Sequence, residues 1–218
     1  MSTHTLDLTA LRQNYARQAL SEADLLLDPV AQFALWFRQA LDSQLREPNA
    51  MTLATATPAG RPSARTVLLK SFDQNGFVFY TNYESRKGQE LAENPQAALL
   101  FTWLELERQI RIEGKVEKTG GTESLRYFQN RPKRSQIGAW ASPQSRVITD
   151  RSVLERKEAQ LSNQYAAEEA LPLPPFWGGY RLAPVLVEFW QGRPNRLHDR
   201  LCYTLEQTGA WQVERLAP

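Results

Sequence analysis

Apolar and polar residues alternate along this chain with two different periods. In DPVAQFALWFRQALDSQL, Val30, Phe33, Phe37, Leu41 and Leu45 recur at helical spacing. Asp28 is placed to cap and Pro29 suits the first helical position, so the pattern predicts an amphipathic helix that ends before Pro48. From Met51 the period falls to two. MTLATAT, a turn at Pro58-Ala59-Gly60, PSARTVLLKSF, a DQNG turn and FVFYT predict a meander of strands. A short helix from Ser85 precedes two more strands, AALLFTWLEL and RQIRIEGKVEK. In the second, Ile110, Ile112 and Val116 face one way while Gln109, Arg111, Glu113 and Lys115 face the other, as in a half-buried antiparallel strand.

TESLRYFQN and DRSVLERKEAQLSNQY return to the helical period, with Thr122 and Asp150 as expected caps. ALPLPPFWGGY reads as a proline and glycine connection outside regular structure. LVEFWQG, RLHDRLCYTLE and, across a QTG turn, AWQVERL complete the strands. Helices inserted among dominant strands predict an α+β class built on an antiparallel barrel or sheet. Residues 1–27 are mixed in pattern and expected to be a partly mobile N-terminal segment, and residues 28–218 to form one domain. No repeat or low-complexity tract interrupts it.

Charge and cysteine content narrow the functional classes. The sequence carries 26 Lys plus Arg against 24 Asp plus Glu, a net charge of +2, which gives little reason to expect a nucleic-acid or acidic-membrane surface. Anion binding should therefore be local. Cys202 is the single cysteine and His4 and His198 the only histidines, so neither a multi-cysteine nor a histidine-rich metal site is available. The N-terminus lacks an apolar signal core, and no run approaches the ~18 apolar residues of a membrane span. A soluble cytoplasmic protein is expected.

Neither a G-x-G-x-x-G nor a P-loop motif is present. Four basic clusters remain. Ser85 as N-cap puts Arg86 and Lys87 in a first helical turn, against the helix dipole unless an anion binds there. Arg65 and Lys70 flank TVLL at an odd separation, which on one strand puts them on opposite faces. Tyr127, Arg131 and Ser135 recur every four residues and converge if the helix continues as a turn past Pro132. They offer a guanidinium and two hydroxyls suited to phosphate. In RLHDR, strand alternation places Arg196, His198, Arg200 and Cys202 on one face, with Leu197, Asp199, Leu201 and Tyr203 on the other. Each cluster alone also fits an ordinary solvated turn, helix end or charged edge strand. Trp177, Phe189 and Trp190, taken singly, fit a core as well as a flat-ring pocket.

Taken together, RTVLLK, FYTN, SRKGQ, ERQIRIEGK, RYFQNRPKRSQIGAW, PQS, FWGGYRL, EFWQG, RLHDR and ERLAP resemble, in order from about Leu11 to Pro218, the bacterial pyridoxamine 5'-phosphate oxidase family. The resemblance implies a flavin-binding split β-barrel and a homodimer holding FMN in clefts between subunits. It also implies oxidation of pyridoxamine or pyridoxine 5'-phosphate to pyridoxal 5'-phosphate, with hydride transfer to flavin N5. O2 would be reduced to H2O2, and ammonia released from the amine substrate.

By motif it assigns FMN to Arg65, Thr66, Val67, Leu68, Leu69, Lys70, Tyr80, Thr81, Arg86, Lys87, Gln109, Gln144, Ser145, Trp190 and Arg200. It assigns the substrate phosphate to Lys70, Tyr127, Arg131 and Ser135, and the substrate ring to Arg196 and His198 as the catalytic pair. Arg12 and Tyr15 would belong to an N-terminal cover over the substrate, while Gln13 and Asn14 between them depart from the family pattern. A flavin reductase acting on another substrate, and a non-catalytic carrier of FMN or pyridoxal phosphate, are the competing readings.

Overall fold

The computed structural model describes residues 14–218. The helical pattern after Asp28 becomes α1, Pro29–Asp42, and the Asp28 carboxylate caps it by accepting from the Val30 and Ala31 amides at 3.1 Å each. Its apolar stripe plugs a single curled antiparallel sheet. The strands are β1 (Ala50–Ala56), β2 (Pro62–Leu68), β3 (Ser71–Asp73), β4 (Gly76–Asn82), β5 (Gln96–Trp103), β6 (Arg108–Lys118), β7 (Trp177–Gln191), β8 (Asp199–Leu205) and β9 (Trp211–Arg215). They run in the order β2-β1-β5-β6-β7-β4-β3, with β8 added to β7 and β9 to β8. Curling brings the β2 end back to β4, where the Lys70 amide donates to Val78 O at 2.9 Å. Phe33 of α1 is fully buried among Phe72, Phe77 and Phe101, and Ile110, Ile112, Phe189 and Leu201 extend the same core.

The long strand β7 organises the molecule. One edge pairs with β6 along nearly its whole length, whereas the other is shared, with β4 along Trp177–Leu182 and β8 along Leu186–Gln191. The sheet is thus split at that edge. Pro184 falls in the gap between those partners and opposite a register shift in β6, where a missing N–H is tolerated.

This corrects the expectation that FWGGY lies outside regular structure, because Trp177 through Tyr180 are the first residues of β7. Glycine is needed there for close approach: a Cβ on Gly178 would meet the Tyr83 hydroxyl, and one on Gly179 the Thr119 hydroxyl.

The remaining helices, α2 (Arg86–Glu93), α3 (Gly121–Gln129), α4 (Lys133–Ala141) and α5 (Ser152–Gln164), lie outside the sheet. A second apolar cluster of Phe128, Ile137, Leu161, Leu171 and Trp177 forms under α3–α5. Asp150 supports the start of α5 by accepting from Ser152 N at 2.7 Å. Thr122 is not the cap of α3, which begins one residue earlier behind Gly120. Among the described residues no helix is long and apolar enough to cross a membrane.

Candidate active site

Two regions hold the expected residues, and they lie at opposite ends of β7. The first is a cavity of about 510 Å³ at its N-terminal end. Arg65 and Lys70 both line it, which overturns their expected placement on opposite faces. The strand stops at Leu68, and the chain turns through Leu69 and Lys70 before β3, so parity does not carry across the break. Thr66, Val67 and Leu68 share the wall, while Leu69 turns into the core with 4% exposure.

From β4 come Tyr80 and Thr81, and from α2 comes Lys87. Ser85 caps α2 as expected, accepting from Gly88 N at 3.3 Å. The Lys87 ammonium, buried, donates to Gln144 Oε1 at 2.8 Å, Thr81 Oγ1 at 3.1 Å and Ser85 Oγ at 3.3 Å. Burial, and then the charge of Arg65, bring its pKa down to about 8.

Tyr127, Arg131 and Ser135 converge on the same cavity through a helix, a turn and a second helix begun at Pro132. The Tyr127 ring stacks on Tyr80 at 3.8 Å and 14°, and Trp177 continues the stack at 6.1 Å and 3°. Arg131 lies over the Trp177 ring, 4.8 Å from its centroid. Burial lowers the Arg131 pKa, and its Nη1 is buried with no hydrogen-bond partner among the described residues. Among the described residues no carboxylate lines this cavity. A buried unpaired guanidinium nitrogen in a cleft of cations and neutral donors has the chemistry to take an anion.

Two expected residues next to the cavity do not line it. Arg86 turns its Nε onto Glu90 Oε1 at 2.9 Å and is largely exposed, and Ser145 follows Gln144 with a φ of +71°.

The second region is the outer face at the C-terminal end of β7. Gln109, Trp190 and Arg200 lie side by side across β6, β7 and β8. Arg200 donates through Nε and Nη2 to the Glu188 carboxylate at 2.8 and 3.1 Å, and through Nη1 to Ala217 O at 2.8 Å. Arg111 holds the other side of Glu188 at 2.7 Å. Burial pushes the Glu188 pKa up, but its bonds to the two guanidiniums outweigh this and leave it below the usual value.

The cationic row read from RLHDR does not form. β8 begins at Asp199, and Pro194–Arg196 is a 3₁₀ turn in which Asn195 and Arg196 have φ of +57° and +62°. Only Arg200 and Cys202 keep strand alternation. His198 packs against Trp190 with ring centroids 4.6 Å apart, and Tyr15 meets both rings edge-on at 5.9 and 5.8 Å. Arg193 N–H donates to His198 Nδ1 at 3.1 Å. Burial, and then the nearby Arg196 charge, lower the His198 pKa. Arg12 lies outside the described residues.

Sequence reasoning passed over Glu90, Thr55 and Ser63, which hold the Arg65 guanidinium from behind, and read Trp177, taken singly, as core before pocket wall, whereas it lines the cavity. Only the four-residue spacing of Arg86 and Glu90 hinted at Glu90. A larger cleft of about 640 Å³, between α4, α5 and the end of β4, contains none of the expected residues.

Comparison with known proteins matches residues 37–165 to the family profile "Pyridoxamine 5'-phosphate oxidase". The chain belongs to the pyridoxamine 5'-phosphate oxidase family. Residues 177–218 match the "Pyridoxine 5'-phosphate oxidase C-terminal dimerisation region". The boundary falls near the division between the two regions: the cavity comes from the first match except for Trp177, and Trp190 to Arg200 lie in the dimerisation region, while their neighbours Gln109 and Arg111 on β6 belong to the first match.

Relatives named pyridoxine/pyridoxamine 5'-phosphate oxidase include one from Rippkaea orientalis, 57% identical over 98% of this chain and 100% of the relative. Another, from Burkholderia thailandensis, is 60% identical over 97% of this chain and 99% of the relative. Among solved structures, PhzG from Burkholderia lata 383 in complex with tetrahydrophenazine-1-carboxylic acid superposes with a TM-score of 0.87. It is 35% identical and covers 94% of this chain and 100% of its own. A pyridoxamine 5'-phosphate oxidase-related, FMN-binding protein from Nostoc punctiforme shares the split-barrel fold, with a TM-score of 0.69 at 19% identity over 88% of this chain and 98% of its own.

Proposed function

We propose that this chain is an FMN-dependent oxidase that converts pyridoxamine 5'-phosphate and pyridoxine 5'-phosphate to pyridoxal 5'-phosphate with O2 as acceptor, working as a cytoplasmic homodimer. The observation that carries the reading is charge. Arg65, Lys70, Lys87 and Arg131 line one cavity without a carboxylate, and Arg131 Nη1 is buried and unpaired. Glu90 behind Arg65 already offsets one of the four, leaving about three positive charges, and a phosphate monoester brings about −1.5 to −2 at neutral pH, so one leaves part of this charge unbalanced and two match or slightly exceed it. A flavin phosphate and a substrate phosphate supply two. The names of relatives at 57–60% identity over nearly the whole chain support the phosphorylated substrate of that pair.

In this assignment Lys87, Thr81, Gln144 and Arg65 hold the flavin phosphate, and Lys70, Tyr127, Arg131 and Ser135 hold that of the substrate. Trp190 and Arg200 reach the flavin, and Arg196 and His198 the substrate ring, from the dimerisation region of the second chain, with Gln109 beside Trp190 on that chain's β6. Residues 1–27 provide the cover, with Tyr15 already against Trp190 and His198. FMN, when bound, supplies the hydride acceptor and the route to O2.

The protein's own work is orientation and proton placement. With Nδ1 accepting from Arg193 N–H, neutral His198 carries its proton on Nε2, and the Arg196 charge beside it favours that neutral form. Arg196 brings a fixed fork of donors, and orientation of this kind has large kinetic leverage.

The test is direct. Purified protein should be yellow, release FMN on denaturation, and form H2O2 and aldehyde from pyridoxamine 5'-phosphate but scarcely from unphosphorylated pyridoxamine. FMN binding without turnover would leave the carrier reading, and turnover indifferent to the phosphate would favour a reductase-like enzyme with another substrate.

A further inference from the structure

The carboxylate behind the cradle has no place in the assignment above. Glu90 lies on the buried face of α2 with 4% of its surface exposed. Its Oε2 accepts from the hydroxyls of Thr55 and Ser63 at 2.5 Å each and from Arg65 Nη2 at 3.3 Å, and its Oε1 accepts from Arg86 Nε at 2.9 Å. Burial pushes its carboxyl pKa up, but the hydroxyls and the two guanidiniums outweigh burial and hold it at about 2. It is an anion at every working pH.

Its position decides between two roles. A carboxylate inside the cavity would compete with phosphate for Arg65. Glu90 does not line the cavity, whereas Arg65 does. The guanidinium stands between the carboxylate and the ligand space, so the carboxylate acts as a backstop.

The bonds around Arg65 close the frame. Nη1 donates to Thr55 Oγ1 at 2.5 Å and Leu53 O at 3.3 Å, and Nη2 donates to Ser63 Oγ at 2.5 Å as well as to Glu90. Thr55 and Ser63 therefore each bridge the guanidinium and the carboxylate. The charge this frame fixes is felt across the cradle at Lys87.

We propose that Glu90 is a positioning residue of the anion site, locking the Arg65 guanidinium against the cavity through Thr55 and Ser63. The inference rests on the assignment of Arg65 to the flavin phosphate. It adds that part of the site's affinity resides in a residue that never touches the ligand. Without the carboxylate, Arg65 is free to leave the wall and must be re-ordered when phosphate binds.

The experiment measures FMN dissociation constants for the parent, Glu90→Gln, Arg65→Met and the double variant, with the melting temperature of each apoprotein. Gln keeps the shape and one acceptor while removing the charge. Glu90→Gln should weaken FMN about tenfold, the equivalent of one charge-assisted hydrogen bond. In the Arg65→Met background the same change should have little further effect, because the group it positions is gone. A general structural defect would instead weaken binding equally in both backgrounds.

Thr55→Val, which removes one bridge at nearly constant volume, provides the second route if Glu90→Gln does not fold. Its smaller loss should also vanish without Arg65. Unchanged FMN affinity in Glu90→Gln beside a weakened Arg65→Met would overturn the inference and leave the oxidase reading standing. A loss that persists undiminished in the Arg65→Met background would also overturn it. A parent protein that binds no FMN would overturn the reading beneath it as well.

Discussion

Arg131 at the N-terminal end of β7 and Arg200 at its C-terminal end are held in opposite ways. At the N-terminal end Arg131 is half-buried, with its Nη1 atom buried and without a hydrogen-bond partner among the described residues, and Lys87 is buried among neutral oxygens. At the C-terminal end Arg200 is clasped by Glu188 through two bonds and by the Ala217 carbonyl through a third. One end holds a guanidinium with a donor left over, and the other a cation already balanced beside Trp190 and His198. A buried donor without a partner is costly, and that cost falls on Arg131 Nη1. The second end needs no ligand to be satisfied. Along the strand the two ends are roughly 40 Å apart at about 3.3 Å per residue. A second chain is the simplest way to bring the C-terminal surface of one to the cradle of another, and residues 177–218 match a dimerisation region.

The largest expected effect comes from emptying the cradle. Replacing Lys87 and Arg131 together by Met should lower kcat/KM for pyridoxamine 5'-phosphate by at least about 100-fold, since each charge-assisted bond contributes ~1.5–3 kcal/mol. Steady-state kinetics with saturating FMN measure it, and an unaffected rate would show that the cavity binds no phosphate.

Next comes the opposite end. Arg196→Met should keep the flavin and lose about ten- to 150-fold in kcat/KM. Arg200→Met should weaken flavin binding and also cost about 1–3 kcal/mol of stability, because the buried Glu188 loses a partner. Flavin content and melting temperature read side by side separate the two, and identical phenotypes would erase the distinction drawn between them.

A smaller effect is graded by pH. In the free cradle Lys87 has a pKa of about 8, and a bound phosphate favours its charged form. The bound pKa therefore lies above the free one. FMN affinity is complete below pH 8 and should fall above it, by up to about tenfold per pH unit until the bound pKa is reached. Titration of the dissociation constant from pH 7 upward checks this, with Lys87→Met as the variant in which the slope disappears. Least of all should happen at Arg134, 92% exposed and 3.9 Å from Glu158. Its replacement by Ala should move stability by less than about 0.5 kcal/mol and leave kinetics alone.

How much of this was legible in the sequence varies with the range of the interactions. Val30 and Phe33 marked the buried face of α1, but that face continues through Trp36 and Ala40 while Leu41 of the expected stripe is 54% exposed; Ile110, Ile112 and Val116 marked the inner face of β6, where periodicity reports burial directly. Tyr127, Arg131 and Ser135 converged as their spacing suggested, since a helix and one turn set that geometry locally. Alternation failed wherever the backbone left the strand, at Leu69-Lys70 and at Asn195-Arg196, the latter pair with positive φ. It also missed that Gly178 and Gly179 continue a strand, because the reason is the approach of Tyr83 and Thr119 from elsewhere in the chain. Glu90 was hidden for the same cause: its partners Thr55, Ser63 and Arg65 are brought to it only by the fold. Family resemblance named residues in both regions, but not that they lie at opposite ends of one strand.

That division is most directly tested by complementation. A chain with Arg131→Met has a dead cradle and a sound C-terminal surface, and one with Arg196→Met the reverse. Each homodimer should be nearly inactive. Mixed by co-refolding in equal amounts, half of the dimers become hybrids, each with one intact site and one doubly damaged site, so activity should return to about a quarter of the parent level. If the hybrids stay as inactive as their parents, each site is built within a single chain and the account of a shared cleft is wrong.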